Sequence, residues 1–168
     1  PRGGAMARKA VGSLLRPSPP IAMLCLIQRV TEASVRVDGN VVGRIGHGLL
    51  ALVGVEPGDG APQLARMTAR LPGDRVFADA QGRLNRSLTD TGGGLLLVSQ
   101  FTLAADTSSG MRPGFSTAAA PEKARRVFDL LVEACRARHA GAVETGRFGA
   151  DMAVGLVNDG PVTFLLRA

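Results

Sequence analysis

Hydrophobic and polar positions along this chain alternate in short bursts far more often than they recur with a helical period. Met23 to Val30 and Ala33 to Val37 read as strands, and Asp38-Gly39-Asn40 supplies a tight turn before a third strand at Val41 to Ile45. Gly48 to Val55 is apolar without a break, the pattern of a strand covered on both faces. Beyond Pro57-Gly58-Asp59-Gly60 the period changes. Leu64, Met67 and Leu71 share one face of a helix that opens near Pro62 and stops before Pro72-Gly73. Short extended pieces are expected at Arg75 to Ala78 and Leu84 to Leu88, with turns at Asp79 to Gly82 and Thr89 to Gly93. Gly94 to Leu103 is another strand, and Ala104 to Ala119, rich in Ser, Thr, Gly and Pro, is a long loop of the kind that often carries function. A second helix runs from Pro121 to about His139 with Val127, Leu130, Leu131 and Ala134 on one face. Val143 to Thr145, Met152 to Val157 and Val162 to Leu166 complete the strands.

Strands arriving in pairs and helices only twice predict an α/β fold: a mixed, mostly antiparallel sheet closing toward a barrel or sandwich, with about two helices packed on it. Two helices cannot cover so much apolar sheet. The remainder must close on itself or meet a second copy, so a homodimer is expected.

Composition narrows the partners. A chain of 168 residues, 45% hydrophobic, suits one domain. The net charge of +6 suggests nucleic acid, but Arg2, Arg8, Lys9 and Arg16 stand in an acid-free segment, leaving sixteen bases against fourteen acids from Met23 onward. That balance argues against a broad phosphate-binding surface, and no DNA partner is expected, while a localised contact with an RNA end stays compatible. Residues 1–22, ending in Pro17-Ser18-Pro19-Pro20-Ile21-Ala22, read either as a basic transit peptide or as an extension outside the fold; the second reading is adopted. Cys25 and Cys135 have no disulfide or Cys-x-x-Cys spacing and read as reduced core thiols, which points to the cytoplasm. No apolar run approaches the roughly 20 residues of a membrane span. No metal-ligand spacing is present, and neither metal nor cofactor is expected.

The most informative stretch is Ser99-Gln100-Phe101-Thr102, which follows the apolar run Gly94-Leu95-Leu96-Leu97-Val98. Polar groups at the mouth of a strand dressed for burial need partners there. A second unusual feature is Asn158-Asp159-Gly160-Pro161, where a proline breaks a strand-like run. Nucleophilic hydrolysis needs a base, yet His47 lies between two glycines and His139 at a helix end, where it suits the helix dipole. Thr102 is either a nucleophile or a hydroxyl that pairs strand ends.

Leu26-Ile27-Gln28-Arg29-Val30, Ser99-Gln100-Phe101-Thr102-Leu103, Gly146-Arg147-Phe148-Gly149-Ala150-Asp151-Met152 and Asn158-Asp159-Gly160-Pro161-Val162-Thr163 together resemble the D-aminoacyl-tRNA deacylases. The resemblance covers residues 23–168 as a single deacylase domain. It implies hydrolysis of the ester of D-aminoacyl-tRNA, and of mischarged glycyl-tRNA, to free amino acid and tRNA as chiral proofreading. It further implies a homodimer that uses no metal and takes the 3′-terminal adenosine end of aminoacyl-tRNA. Ser99, Gln100, Phe101 and Thr102 would be the catalytic block, with main-chain N–H groups at the Phe101-Thr102 bend polarising the carbonyl and the substrate's own 2′-OH assisting. Phe148 and Met152 would line the adenine site. A cis Gly160-Pro161 step, braced by Arg29, would project into the partner's pocket and reject L-substituents. The rival from another class is a non-catalytic tRNA-end-binding domain on the same fold. Two segments depart from the family pattern: Pro72-Gly73-Asp74-Arg75-Val76-Phe77, and Gly114 where a serine is usual.

Overall fold

One strand of fourteen residues, β1 (Leu24–Val37), organises the sheet. The computed structural model describes residues 22–168, so the reading of residues 1–22 falls, apart from Ala22, outside the described residues. The far half of β1 pairs antiparallel with β2 (Asn40–Ile45) and its near half with β3 (Gly48–Gly54). Along nearly its whole length it also pairs with β8 (Ala153–Arg167). Two strands expected on either side of residues 31–32 are therefore one. β6 (Gly94–Ser99) and β7 (Val143–Thr145) extend the sheet in parallel, giving the order β2-β1-β3-β6-β7 with β8 attached to β1. The end strands nearly meet: a Cβ on Gly43 of β2 would fall 2.4 Å from the Thr145 carbonyl of β7, so glycine permits the approach that makes the sheet barrel-like.

Both unbroken apolar runs are explained by burial on two sides. Leu49, Ala51 and Val53 of β3 and Leu95 and Leu97 of β6 face the helices, whereas Leu50, Leu96 and Val98 face the barrel interior with Val30, Val35 and Ile45. Helix α1 (Ala61–Gly73) buries Met67 and Leu71. It runs through Pro72 rather than stopping before it. Proline forfeits only its own N–H bond in a last turn, and the Asp74 N–H closes that turn on the Arg70 carbonyl at 2.8 Å.

The extended piece expected to reach Leu88 is shorter. β4 (Phe77–Ala78) and β5 (Leu84–Arg86) form a small hairpin, and Leu88–Thr91 is a third, four-residue helix, α2, where a turn was expected. Ser87 and Asp90 cap it reciprocally: the Asp90 N–H donates to Ser87 Oγ and the Ser87 N–H to Asp90 Oδ2. Helix α3 (Pro121–Arg138) buries Val127 and Leu131 as expected, together with Ala124, Phe128, Val132 and Cys135, but leaves Leu130 exposed. Among the described residues no helix is long and apolar enough to cross a membrane.

Candidate active site

The parallel pair β3 and β6 ends with Val53 opposite Ser99. There the Gln100 N–H donates to the Val53 carbonyl at 2.7 Å and the chain winds into a 3-10 turn, Phe101–Ala104. That turn rests on a glycine, because a Cβ on Gly54 would lie 3.2 Å from Leu103 Cβ. A cavity of about 680 Å³ opens at this bend. Ser99, Gln100 and Phe101 line one part of it, Pro121, Ala124 and Phe128 of α3 another, and Phe148 and Met152 a third. Among the described residues none that lines it is ionisable.

Each candidate side chain has a local reason for its place. The Gln100 amide donates to Thr102 Oγ1, so the threonine hydroxyl is held on the exposed side of the turn. The main-chain N–H groups of Phe101 and Thr102 form no hydrogen bond among the described residues, as expected for the opening residues of a helical turn. Phe101 is 57% exposed and packs its ring on Phe115, centroids 5.3 Å apart. Phe148 packs against Phe128 at 6.2 Å and lies under the Arg125 guanidinium at 5.7 Å. Met152 accepts a contact from the Arg147 N–H at Sδ, and a Cβ on Gly146 would meet that sulfur at 2.7 Å, so the glycine makes room for the thioether. Phe115, Pro121, Ala124 and Phe128 were not anticipated as site residues; Phe115 alone carried a signal, standing in the long polar loop.

Arg29, Gly160 and Pro161 form a second group that does not line the cavity of their own chain. β8 pairs Thr163 with Gln28 and Asn158 with Val30, so Asp159, Gly160, Pro161 and Val162 all stand opposite Arg29 alone. The two strands expected on either side of the Gly-Pro step are thus one strand with a loop pushed out of its ladder, and the Gly160-Pro161 peptide is cis. Arg29 fills the gap. Its Nε lies 3.1 Å from Asp159 Oδ2 and its Nη1 donates to the Val76 carbonyl at 3.0 Å. Asn158 Nδ2 donates to the carbonyls of Arg29 and Val162 at 2.9 and 3.0 Å, satisfying groups that the ladder no longer serves.

Proton-transfer groups sit elsewhere. His139 is buried with Nε2 2.7 Å from the Gly93 carbonyl, and the His47 carbonyl accepts the Gly94 N–H, so both histidines lie at the end of β6 remote from Ser99. At about 3.3 Å per residue that is roughly 20 Å from the bend. Cys25 and Cys135 are free and buried, and burial pushes the Cys135 thiol up to about 11 and the Cys25 thiol higher still. Among the described residues, no three His, Cys, Asp or Glu side chains cluster closely enough to hold a metal ion.

Residues 26–167 match the D-Tyr-tRNA(Tyr) deacylase family. The chain belongs to this family. Over 145 residues it is 72% identical to a D-aminoacyl-tRNA deacylase of Xanthomonas campestris pv. campestris (strain 8004) and 71% identical to one of Stenotrophomonas maltophilia (strain K279a); each alignment covers 86% of this chain and 99% of the relative. A solved structure of the c-Myc DNA Unwinding Element Binding Protein superposes with a TM-score of 0.83 at 35% identity, covering 86% of this chain and 98% of that one. A probable eukaryotic D-amino acid tRNA deacylase superposes with a TM-score of 0.75 at 16% identity, over 88% of this chain and all of that one, a likeness of fold. Among the described residues the cavity lining combines apolar and aromatic surface with the polar side chains of Ser99 and Gln100; Thr102 is not part of it.

Proposed function

We propose that this chain hydrolyses the ester of D-aminoacyl-tRNA through the cavity at the Ser99-Thr102 bend, using main-chain donors and the substrate's own 2′-OH. The observation that carries this reading is that, among the described residues, no ionisable side chain lines the cavity of this deacylase-family chain. Phe148 and Met152 offer an aromatic face and a polarizable sulfur to the terminal adenine. With the base held there, the ester carbonyl reaches the unpaired N–H groups of Phe101 and Thr102, which stabilise the developing oxyanion. The 2′-OH of the same ribose orients the attacking water, so proximity replaces a protein base.

Chirality is policed by the Gly160-Pro161 loop of a second copy. Among the described residues β8 pairs only with β1, leaving one edge of a fifteen-residue strand open. Leu156, Val157, Phe164 and Leu165 are exposed on either side of the Gly-Pro loop. A long open apolar edge of this kind is a pairing surface. A homodimer built on it brings each Gly-Pro loop to the other copy, where rigid backbone blocks an L side chain of any size and leaves a D side chain, or the hydrogen of glycine, unhindered.

The test is release of amino acid from D-tyrosyl-tRNA, L-tyrosyl-tRNA and glycyl-tRNA. Release from the D and glycyl forms alone is expected. No release from the D form refutes the hydrolase and leaves a tRNA-end-binding domain, and equal release from D and L refutes the chiral wall. Val157→Lys with Leu165→Lys should turn the dimer into monomers in sedimentation and lower D-tyrosine release with it.

A further inference from the structure

We propose that the Arg125 guanidinium, carried over the Phe148 ring, binds the phosphodiester immediately 5′ of the terminal adenosine. This rests on the placement of adenine against Phe148 and Met152 given above. Arg125 lies on the first turns of α3, next to Ala124 and one turn before Phe128, both of which line the cavity. Glu122 and Asp129 stand three residues before and four after it, the ordinary spacings for helix ion pairs. Arg125 pairs with neither. The ion pairs among the described residues are Arg29 with Asp159, Arg70 with Asp74 and Arg136 with Glu133. The guanidinium sits over Phe148 instead, 5.7 Å from the ring centroid, with no acceptor for its N–H donors among the described residues.

An exposed arginine that leaves two available carboxylates for an aromatic ring keeps its charge for something else. The cavity can take a base, a ribose and an ester, but its uncharged lining offers nothing to the anion that joins the adenosine to the preceding nucleotide. The RNA must leave past the rim. Arg125 marks that rim, because it covers the ring of a cavity-lining residue, and Arg147 precedes the same ring in sequence. A planar guanidinium presents paired donors to two phosphate oxygens while its face remains on the ring, a combination lysine cannot offer.

Two measurements decide it. The first compares 5′-AMP with adenosine as competitors of D-tyrosyl-tRNA hydrolysis. The wild type should prefer the nucleotide by about tenfold, the value of one charge-assisted contact at a solvated rim. R125Q should bind both alike, R125K should recover part of the preference, and R136Q, on the same helix but paired with Glu133, should match the wild type. The second is the slope of log kcat/KM against log salt, which should become shallower by about 0.7 in R125Q, one single-strand phosphate contact. A wild type that binds adenosine without preferring 5′-AMP, or an R125Q protein that keeps both the preference and the slope, overturns the proposal and leaves the deacylase reading standing. Failure of adenosine itself to compete overturns it together with the adenine placement.

Discussion

Replacing Thr102 with alanine separates the two chemistries open to the Ser99-Thr102 bend. If Oγ1 were the nucleophile, its removal would abolish the covalent route and cost on the order of 10⁴- to 10⁶-fold in kcat, the scale seen when a nucleophile is deleted. The proposed mechanism gives the hydroxyl a smaller part. It accepts the Gln100 amide, and neither histidine lies within about 20 Å along β6, while among the described residues no carboxylate lines the cavity. Losing one neutral hydrogen bond costs about 0.5–1.5 kcal/mol, or roughly two- to twelvefold in rate if all of it is expressed in the transition state. The two outcomes differ by at least about a thousandfold, so ordinary error does not blur them. Single-turnover release of D-tyrosine from D-tyrosyl-tRNA should therefore fall by no more than about twelvefold in Thr102→Ala. A parallel arm uses tRNA charged on the 3′-OH of a terminal 2′-deoxyadenosine, which should be hydrolysed far more slowly than the ribose form. A drop beyond a thousandfold in Thr102→Ala with an unchanged melting temperature, or full activity on the deoxy substrate, would refute the substrate-assisted mechanism.

Phe148→Ala should raise KM by about five- to 150-fold, the range of one base-stacking contact, with kcat little changed; a fall confined to kcat would contradict its placement under the adenine. Arg29→Met leaves the Val76 carbonyl and the Asp159 carboxylate without their charged partner, so urea unfolding should show a loss of about 1.5–3 kcal/mol and L-tyrosyl-tRNA should begin to be cleaved. Retained discrimination with lost stability would make Arg29 purely a folding residue. Burial raises the carboxyl pKa of Asp59 and, with help from Asp59, that of Glu56, so the folded chain holds these protons more tightly than the unfolded chain. Stability from this pair is present at and below the ordinary carboxylate range and is lost as pH rises through the elevated values. Asp59→Asn keeps an acceptor for the Glu56 N–H and should raise the melting temperature at pH 7 and not at pH 4; a lowered melting temperature at pH 7 would reverse the sign.

What the sequence made legible was whatever depended on local pattern, and what it hid was whatever depended on distant chains meeting. The run at Gly48–Val55 announced a strand buried on both faces, and Leu49 and Leu50 do face opposite cores, while the strand expected at Gly94 to Leu103 ends at Ser99 and gives way to the 3-10 turn. Helix α2 was hidden because only four residues long, it rests on a reciprocal cap between Ser87 and Asp90 rather than on any apolar period. The continuity of β1 and β8 was hidden too: Thr31 and Glu32 look like a break in an apolar pattern, yet the register merely skips Thr31 and resumes with Glu32 opposite Val157 and Ala33 opposite Leu156. The same long pairing gives the Gly-Pro loop its meaning. A proline in a free-standing strand would simply end it, whereas here four residues are extruded opposite Arg29 and the ladder resumes on both sides. The loop is therefore clamped at two ends and filled by a guanidinium at its centre, the stiffness that the proposed steric barrier requires. Motif spacing located Arg29 and Gly160 separately, 131 positions apart in the chain, and only the register of β1 against β8 explains why one serves the other.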